Sequence, residues 1–141
     1  MSNAKTAELS IGSVPKIKET SRAELEHPVT GEVLVDGDGN ALWIETYGQY
    51  SKHYKAVNHD IVNRNIDRAS KSKKNRMSAE QLDAVGTERV IRCIENWYLV
   101  DSSNKEIKFS EKEARKQFEE NPWLYDQAEA SIYDLANYLG K

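Results

Sequence analysis

The small supply of large apolar side chains constrains this sequence more than any other feature. Valine, isoleucine, leucine and phenylalanine account for 29 of its 141 residues, close to the roughly 20% below which chains tend to remain unfolded. The second property of disordered chains, a high net charge, is missing, because the net charge is only −3. Twelve aromatic residues add to the core, and eight of them lie between Trp97 and Tyr138. We therefore expect the best-packed region in the C-terminal part of the sequence.

Composition and charge argue against several classes of protein. The 20 basic and 23 acidic residues do not fit a strongly basic nucleic-acid binder. The longest apolar runs, Ala41–Ile44 and Trp97–Val100, are four residues long, whereas a membrane-spanning helix needs roughly 20 and a signal peptide about 7 to 15. The single cysteine, Cys93, cannot form an internal disulfide and fits a reducing cytoplasm. The sequence therefore predicts a soluble, intracellular, single-domain protein.

The local pattern divides the chain into a flexible N-terminal tail, residues 1–24, and one domain, residues 25–141. The tail has neither helical nor strand periodicity, and Met1–Ala4 can be native or a cloning remnant. In the domain, the apolar runs Glu32–Asp36 and Ala41–Thr46 flank Gly37–Asn40, which predicts a β-hairpin with a tight turn. Asp36, Asp38 and Asn40 also have the first spacings of a calcium loop, but the glycine and glutamate that such a loop needs are missing.

Four helices are predicted after the hairpin, which gives a mainly α fold of the α+β class. The first begins at Ser51, and its apolar face comprises Tyr50, Tyr54, Val57, Ile61, Val62, Ile66 and Ala69. The second begins at a Ser78–Gln81 capping box and runs towards Trp97, and Gly86 either interrupts it or does not. The third begins at a Ser110–Glu113 capping box. The fourth begins at Asn121–Pro122 and has the apolar stripe Leu124, Ala128, Ile132, Leu135 and Leu139.

One basic stretch has to be weighed as a binding site. It comprises Arg64, Arg68, Lys71, Lys73, Lys74 and Arg76. Residues 1–76 carry a net charge of +2 and residues 77–141 one of −5, so the basic character is local. A solvated helix end explains this stretch better than phosphate binding does, and docking of an acidic partner surface is its other possible use. The opposite charges of the two halves also permit head-to-tail self-association.

No catalytic or metal site is predicted. His53 and His59 are six residues apart and do not share a helix face, so joint metal ligation is disfavoured. Cys93 lies among aliphatic residues and is interpreted as a packed side chain rather than a nucleophile. The sequence has neither a phosphate-binding glycine loop nor a serine nucleophile elbow. We expect no enzymatic activity and no cofactor.

Several short motifs in residues 25–139 carry a resemblance to one protein family. They are Pro28–Glu32 before the hairpin, Gly48, Ser51 and Tyr54 at a helix start, Asn63–Arg64, Trp97, Ile107–Ser110, Asn121–Leu124, Gln127–Ala128 and Asp134–Leu139. Their order resembles that of the tail assembly chaperones of long-tailed, siphovirus-type bacteriophages, in which the tryptophan closes a helix. Tyr138 stands where phenylalanine is usual, and Ile107–Lys108 where proline is common.

The resemblance implies a non-enzymatic protein that binds the tape measure protein, keeps it soluble and helps recruit tail tube proteins. Such a protein acts in the host bacterial cytoplasm and is absent from the mature virion, with no membrane association, and some members are also made in a longer frameshifted form. The motif positions are expected in the core rather than at a partner surface: Trp97, Phe109, Pro122, Trp123, Leu124, Asn137 and Tyr138. The alternatives are a structural protein of the tail, such as a completion or connector component, and a small nucleic-acid-binding regulator that uses the stretch Arg64–Arg76.

Overall fold

The structure, a computed structural model, describes residues 10–71 and 77–140. The strands are β1 (Thr20–Glu24), β2 (Trp43–Tyr47), β3 (Ile94–Val100) and β4 (Glu106–Ile107). The helices are α1 (Lys52–Lys71), α2 (Ala79–Arg92), α3 (Glu111–Glu120) and α4 (Pro122–Tyr133), with short 3₁₀ helices at Ile11–Ser13 and Leu135–Tyr138. The predicted α+β class is therefore confirmed.

The four strands form one antiparallel sheet in the order β1-β2-β3-β4. Ile44 of β2 lies opposite both Ala23 of β1 and Trp97 of β3, so it marks the centre of the sheet. Two of the strands, β3 and β4, follow α2 in the chain. The prediction of an N-terminal hairpin followed only by helices is therefore wrong in its arrangement of strands.

The segment around Trp97 is a strand and not the end of a helix. The helix predicted to run towards Trp97 ends at Arg92, and β3 begins at Ile94. β3 pairs with β2 on one side and with β4 on the other. Because aromatic and β-branched residues fit a half-buried pleated surface, sheet pairing outweighs the helical spacing here. Gly86 does not interrupt α2, which is continuous across this position.

β1 lies inside the segment that the sequence predicts as a flexible tail. Thr20–Glu24 pairs along its whole length with β2. Strand pairing uses backbone groups, so a polar segment without clear alternation can still form an edge strand. The tail prediction for residues 1–24 is therefore wrong for β1, while residues 1–9 lie outside the described part of the chain.

The predicted tight turn between the two apolar runs is present, but the runs do not form a hairpin of two named strands. The N–H of Asp36 donates to the carbonyl of Asn40 (2.8 Å), and Gly39 has the positive φ of 86° that favours glycine. Beyond the turn, the N–H of Leu25 donates to the carbonyl of Leu42 (2.9 Å). The second run therefore pairs as a strand with β1, whereas it joins the first run only through an isolated bridge between Val35 and Ala41 and the N–H of Leu42, which donates to the carbonyl of Leu34 (2.8 Å).

The predicted helix starts have serine caps. The serine hydroxyl accepts a hydrogen bond from the backbone N–H three residues later in the pairs Ser51–Tyr54, Ser78–Gln81 and Ser110–Glu113, at 3.0 to 3.1 Å. Gln81 completes a capping box by accepting from the N–H of Ser78 (2.8 Å). Glu113 instead accepts from the side chain of Gln117 (3.1 Å), so only half of the predicted box forms at α3.

The predicted last helix ends early. α4 stops at Tyr133, and the carboxylate of Asp134 accepts from the N–H of Ala136 (3.1 Å) to start the 3₁₀ helix. The apolar stripe is broken by this change, so Leu135 is exposed although Ile132 is buried. The 3₁₀ helix that replaces the end of the predicted helix also places Tyr138 in the core.

The apolar core joins the sheet to all four helices. Its buried side chains are Leu25, Leu42, Ile44, Val57, Ile61, Val90, Ile91, Cys93, Ile94, Trp97, Leu99, Ala114, Phe118, Leu124, Ala128, Ile132 and Tyr138. The buried residues from Trp97 to Tyr138 belong to the aromatic-rich region, which the composition predicts to be well packed. In the described part of the chain, no helix is both long enough and apolar enough to span a membrane.

Candidate functional site

Buried hydrogen bonds join the C-terminal 3₁₀ helix to the sheet and to α4. The hydroxyl of Thr46 is hydrogen-bonded to the hydroxyls of Tyr138 (2.5 Å) and Ser131 (3.0 Å), and Ser131 donates to the carbonyl of Ala128 (2.8 Å). Burial raises the pKa of Tyr138 to about 12. This phenol therefore stays neutral and holds two parts of the fold together.

The other aromatic motif residues also pack within the fold. Trp97 is buried, its indole N–H donates to the carbonyl of Ile107 (2.7 Å), and its ring meets that of Phe109 edge-on with centroids 5.0 Å apart. Leu124 is buried and Trp123 half-buried against the core. These side chains stabilise the fold.

Two of the seven motif residues depart from the expectation of a core position. Pro122 is exposed. It occupies the first turn of α4, where its missing N–H removes no helical hydrogen bond, so it serves to start the helix. Asn137 is half-buried, and its backbone N–H donates to the carbonyl of Asp134 (3.1 Å). The expectation is therefore wrong for Pro122 and only partly met for Asn137.

The basic stretch is only partly described, and its first member is paired. Arg64 contacts the carboxylates of Asp60 and Glu88, and Arg92 contacts the same two at 2.7 and 3.2 Å. These ion pairs tie α1 to α2 and neutralise Arg64. Arg68 borders a shallow hollow that also includes Glu88. Lys73, Lys74 and Arg76 lie outside the described residues, as does the side chain of Lys71.

The far part of the α1–α2 pair exposes apolar side chains. Val62 and Ile66 on α1 are 43% and 60% exposed, and Leu82 on α2 is 59% exposed. Val62 and Ile66 are four residues apart, so they share one face of the helix. We call Val62 and Ile66 the distal patch, and Leu82 is a further exposed aliphatic side chain on the neighbouring helix. Val62 and Ile66 differ from Val57 and Ile61, which belong to the same predicted apolar face but are buried.

A cleft runs between the β1 side of the sheet and the end of α4. Its volume is about 540 Å³, and it is bounded by residues 23–31, Ile44, Gln127, Ala130, Ser131, Asp134 and Asn137. Motif residues 28–31, Gln127, Asp134 and Asn137 therefore line an open space. Sequence reasoning missed this cleft, because it depends on β1 and on the early end of α4.

The side chains considered for chemistry are occupied by structural contacts. The Asp36 carboxylate accepts hydrogen bonds from the Tyr98 hydroxyl (2.6 Å) and from the N–H groups of Asp38 (2.8 Å) and Asn40 (2.9 Å). These hydrogen bonds, first of all the one from Tyr98, lower the pKa of Asp36 to about 2. Burial raises the pKa of the Cys93 thiol to about 11. Within residues 10–71 and 77–140, no group of three or more His, Cys, Asp or Glu side chains could hold a metal ion.

Comparisons with protein-family models, with curated proteins and with solved structures find no match for this chain. The fold and the surfaces described above therefore carry the functional argument, together with the motifs of the sequence.

Proposed function

We propose that this protein is a tail assembly chaperone of a long-tailed bacteriophage, which binds the tape measure protein, keeps it soluble and helps recruit tail tube subunits. In this proposal the protein is non-enzymatic and acts in the host cytoplasm. The order of motifs in residues 25–139 supports the family. The observation that supports a client-binding role is the distal patch.

The distal patch suits a helical client. Val62 and Ile66 present aliphatic side chains from consecutive turns of one face of α1. An amphipathic client helix buries its own apolar stripe against such a surface. A patch of two side chains gives weak binding at one point, so several copies bound along a long client would act together.

Charge should add little to binding at the patch. Arg64 lies between Val62 and Ile66 in the chain but on the opposite side of the helix, where its guanidinium contacts Asp60 and Glu88. A cation that is already paired adds little to binding of an acidic or phosphate-bearing partner. Binding of the client should therefore depend only weakly on salt, in contrast to nucleic-acid binding.

The test is co-expression with the tape measure protein encoded in the same phage genome, followed by affinity purification and light-scattering mass. A soluble complex with several copies of this protein per client, and an insoluble client without it, would support the proposal. A client that is soluble alone, or a failure to co-purify, would contradict it.

A matched pair of variants locates the binding surface. The double variant V62S/I66S removes the apolar side chains of α1, and H59S/N63S changes two exposed positions with the same spacing on the same helix. We expect the first to lose most of the client and the second to retain it. Equal capture by both variants would exclude the distal patch as the client-binding surface.

Mass spectrometry of purified phage separates a chaperone from a structural tail protein, the main alternative function. A chaperone is absent from the finished particle, whereas a completion or connector protein is present in fixed copy number. Detection of this protein at a constant ratio to the tube protein would therefore replace the proposed function with a structural role.

A further inference from the structure

The outer edge of β1 has backbone groups that point away from the sheet. At one end of the strand, the N–H of Gly48 donates to the carbonyl of Glu19 (3.1 Å), and at the other the N–H of Leu25 donates to the carbonyl of Leu42 (2.9 Å). Odd-numbered residues of this segment therefore pair with β2. Because an antiparallel ladder alternates, Arg22 and Glu24 direct their N–H and C=O groups outwards.

Both ends of this edge are covered by other parts of the chain. The Gln127 side-chain amide donates to the carbonyl of Glu26 (2.7 Å) and accepts from its N–H (2.9 Å), as a neighbouring strand would. At the other end, the N–H of Lys18 donates to the carbonyl of Tyr138 (2.6 Å). Between these contacts, no partner among the described residues is seen for the outward backbone groups of Arg22 and Glu24.

The cleft beside this edge has a defined charge. Its lining, as far as the described residues show it, includes three carboxylates, those of Glu24, Glu26 and Asp134, and no lysine or arginine; Arg22, beside it on the same edge, is paired with Glu45 (2.9 Å). The ring of His27 lies in the turn at residues 27–31, where its Nδ1 accepts hydrogen bonds from the N–H groups of Val29 (3.1 Å) and Thr30 (3.2 Å). The cleft is therefore acidic, and its floor lies over the buried side chains of Leu25 and Ile44.

We infer that this cleft binds an extended peptide segment rich in lysine or arginine, contributed by a partner protein, which adds as a strand to the free edge of β1. Backbone hydrogen bonds to Arg22 and Glu24 would supply affinity, and the carboxylates would select basic side chains. The open edge spans five residues, or about 17 Å at 3.3 Å per residue. Soluble proteins usually cover or block such an edge; here the 3₁₀ helix Leu135–Tyr138 packs beside β1, and the cleft leaves open space along Ala23 and Glu24. The inference is independent of the proposed chaperone function.

A second copy of this protein is the competing occupant. Antiparallel pairing of two β1 strands about Ala23 would place Arg22 of each copy opposite Glu24 of the other. The turn at residues 27–31 and the Gln127 contact stand beside the edge, however, and leave less room for a folded domain than for a peptide. The experiment below separates these two occupants.

The probe is a seven-residue peptide of alternating lysine and valine, with a glutamate–valine peptide of the same length as its control. Binding is followed by amide NMR of the labelled protein, which reports shifts and hydrogen exchange residue by residue. We expect the lysine peptide to shift and protect the amides of Arg22 and Glu24, to leave those of Ser21 and Ala23 protected as before, and to bind more weakly as salt is raised.

Two substitutions at one position separate the backbone contribution from the charge. Glu24→Pro removes the outward N–H and the carboxylate, whereas Glu24→Ala removes only the carboxylate; proline is tolerated on an edge strand when its N–H is not part of the ladder. We expect Glu24→Pro to weaken peptide binding about tenfold or more and Glu24→Ala to weaken it by about threefold. Circular dichroism and thermal unfolding establish that both variants are folded.

Three results with the peptides would overturn the inference. The lysine peptide could fail to bind at millimolar concentration, it could bind without affecting the amides of Arg22 and Glu24, or the glutamate peptide could bind equally well. A dimer that Glu24→Pro dissociates and that the lysine peptide does not disrupt would overturn it in favour of the second copy. None of these results bears on capture of the tape measure protein through the distal patch.

Discussion

The two halves of α1 show how differently one periodic pattern can be used. Val57 and Ile61 are buried in the core, while Val62 and Ile66 are exposed, although Val62 follows Ile61 directly in the chain. The second pair is offset from the first by five residues, so at 3.6 residues per turn it is rotated by about 140° and lies on a different face of the helix. The predicted apolar face of α1 is therefore two stripes, and the core covers the one that contains Val57 and Ile61.

Polar groups in the core and on the α1–α2 pair also differ in their exposure to water. In the core, the hydroxyls of Thr46, Ser131 and Tyr138 satisfy one another away from water. On the helical pair, Arg64 and Arg92 meet carboxylates at positions that water also reaches. Buried hydrogen bonds of this kind are costly to break one partner at a time, whereas exposed ion pairs contribute little. Loss of stability should therefore be large near Tyr138 and small near Ile66.

The largest effect is expected for Tyr138→Ala. This side chain is 2% exposed, and its ring lies against Gly48, where an added Cβ would be 3.0 Å from the ring carbons. We expect a loss of about 3 to 5 kcal/mol in the free energy of unfolding, as for other large-to-small core substitutions. Urea denaturation measures it. Tyr133→Ala, at an exposed position five residues earlier, is the matched control and should cost much less.

The turn that contains Asp36 is expected to contribute a stability that depends on pH. The folded-state pKa of this carboxyl is about 2, below its ordinary value of 3.8, first because Tyr98 donates a hydrogen bond to it and then because backbone N–H groups do. A lowered pKa contributes stability above about pH 4, and this contribution is lost as the pH falls towards 2. The stability difference between the wild type and Asp36→Asn should therefore shrink over that interval. A difference that stays constant from pH 7 to pH 2 would contradict the assignment.

A smaller effect is expected at Gly86, where α2 meets α4. A Cβ at this position would lie 3.3 Å from the hydroxyl oxygen of Tyr125. Alanine favours a helix by about 0.5 to 1 kcal/mol over glycine, but this hydroxyl opposes the gain. We expect Gly86→Ala to be stabilising by about that amount in a Tyr125→Phe background and less so alone, as measured by thermal unfolding. Equal gains in both backgrounds would show that the hydroxyl moves aside freely.

The sequence predicts the features that depend on neighbouring residues. The serine caps at Ser51, Ser78 and Ser110 and the turn at Gly37–Asn40 all follow from local hydrogen bonding and glycine conformation. The α+β class could also be predicted, since the sequence contains both helical spacing and strand-like apolar runs.

The features that were missed depend on contacts distant in sequence. β1 has a polar sequence and becomes a strand through pairing with β2. The run at Trp97 has both helical and strand character, and its position between β2 and β4 decides the outcome. The candidate cleft follows from β1 and from the turn at Asp134, so no single segment of the sequence reveals it.

The smallest effect on stability is expected for V62S/I66S, the variant that should abolish client capture. Exposed aliphatic side chains contribute little to the folded state, so each substitution should change the free energy of unfolding by no more than about 0.5 kcal/mol. Hydrogen exchange should also be faster in this half of α1 than around Ile61, because fewer apolar contacts hold it. A loss well above 1 kcal/mol, together with an unfolding midpoint that rises with protein concentration, would mean that another copy covers the patch in solution. In that case the two halves of α1 would both be buried in the functional assembly, and a client would have to displace a copy of the protein before it could bind.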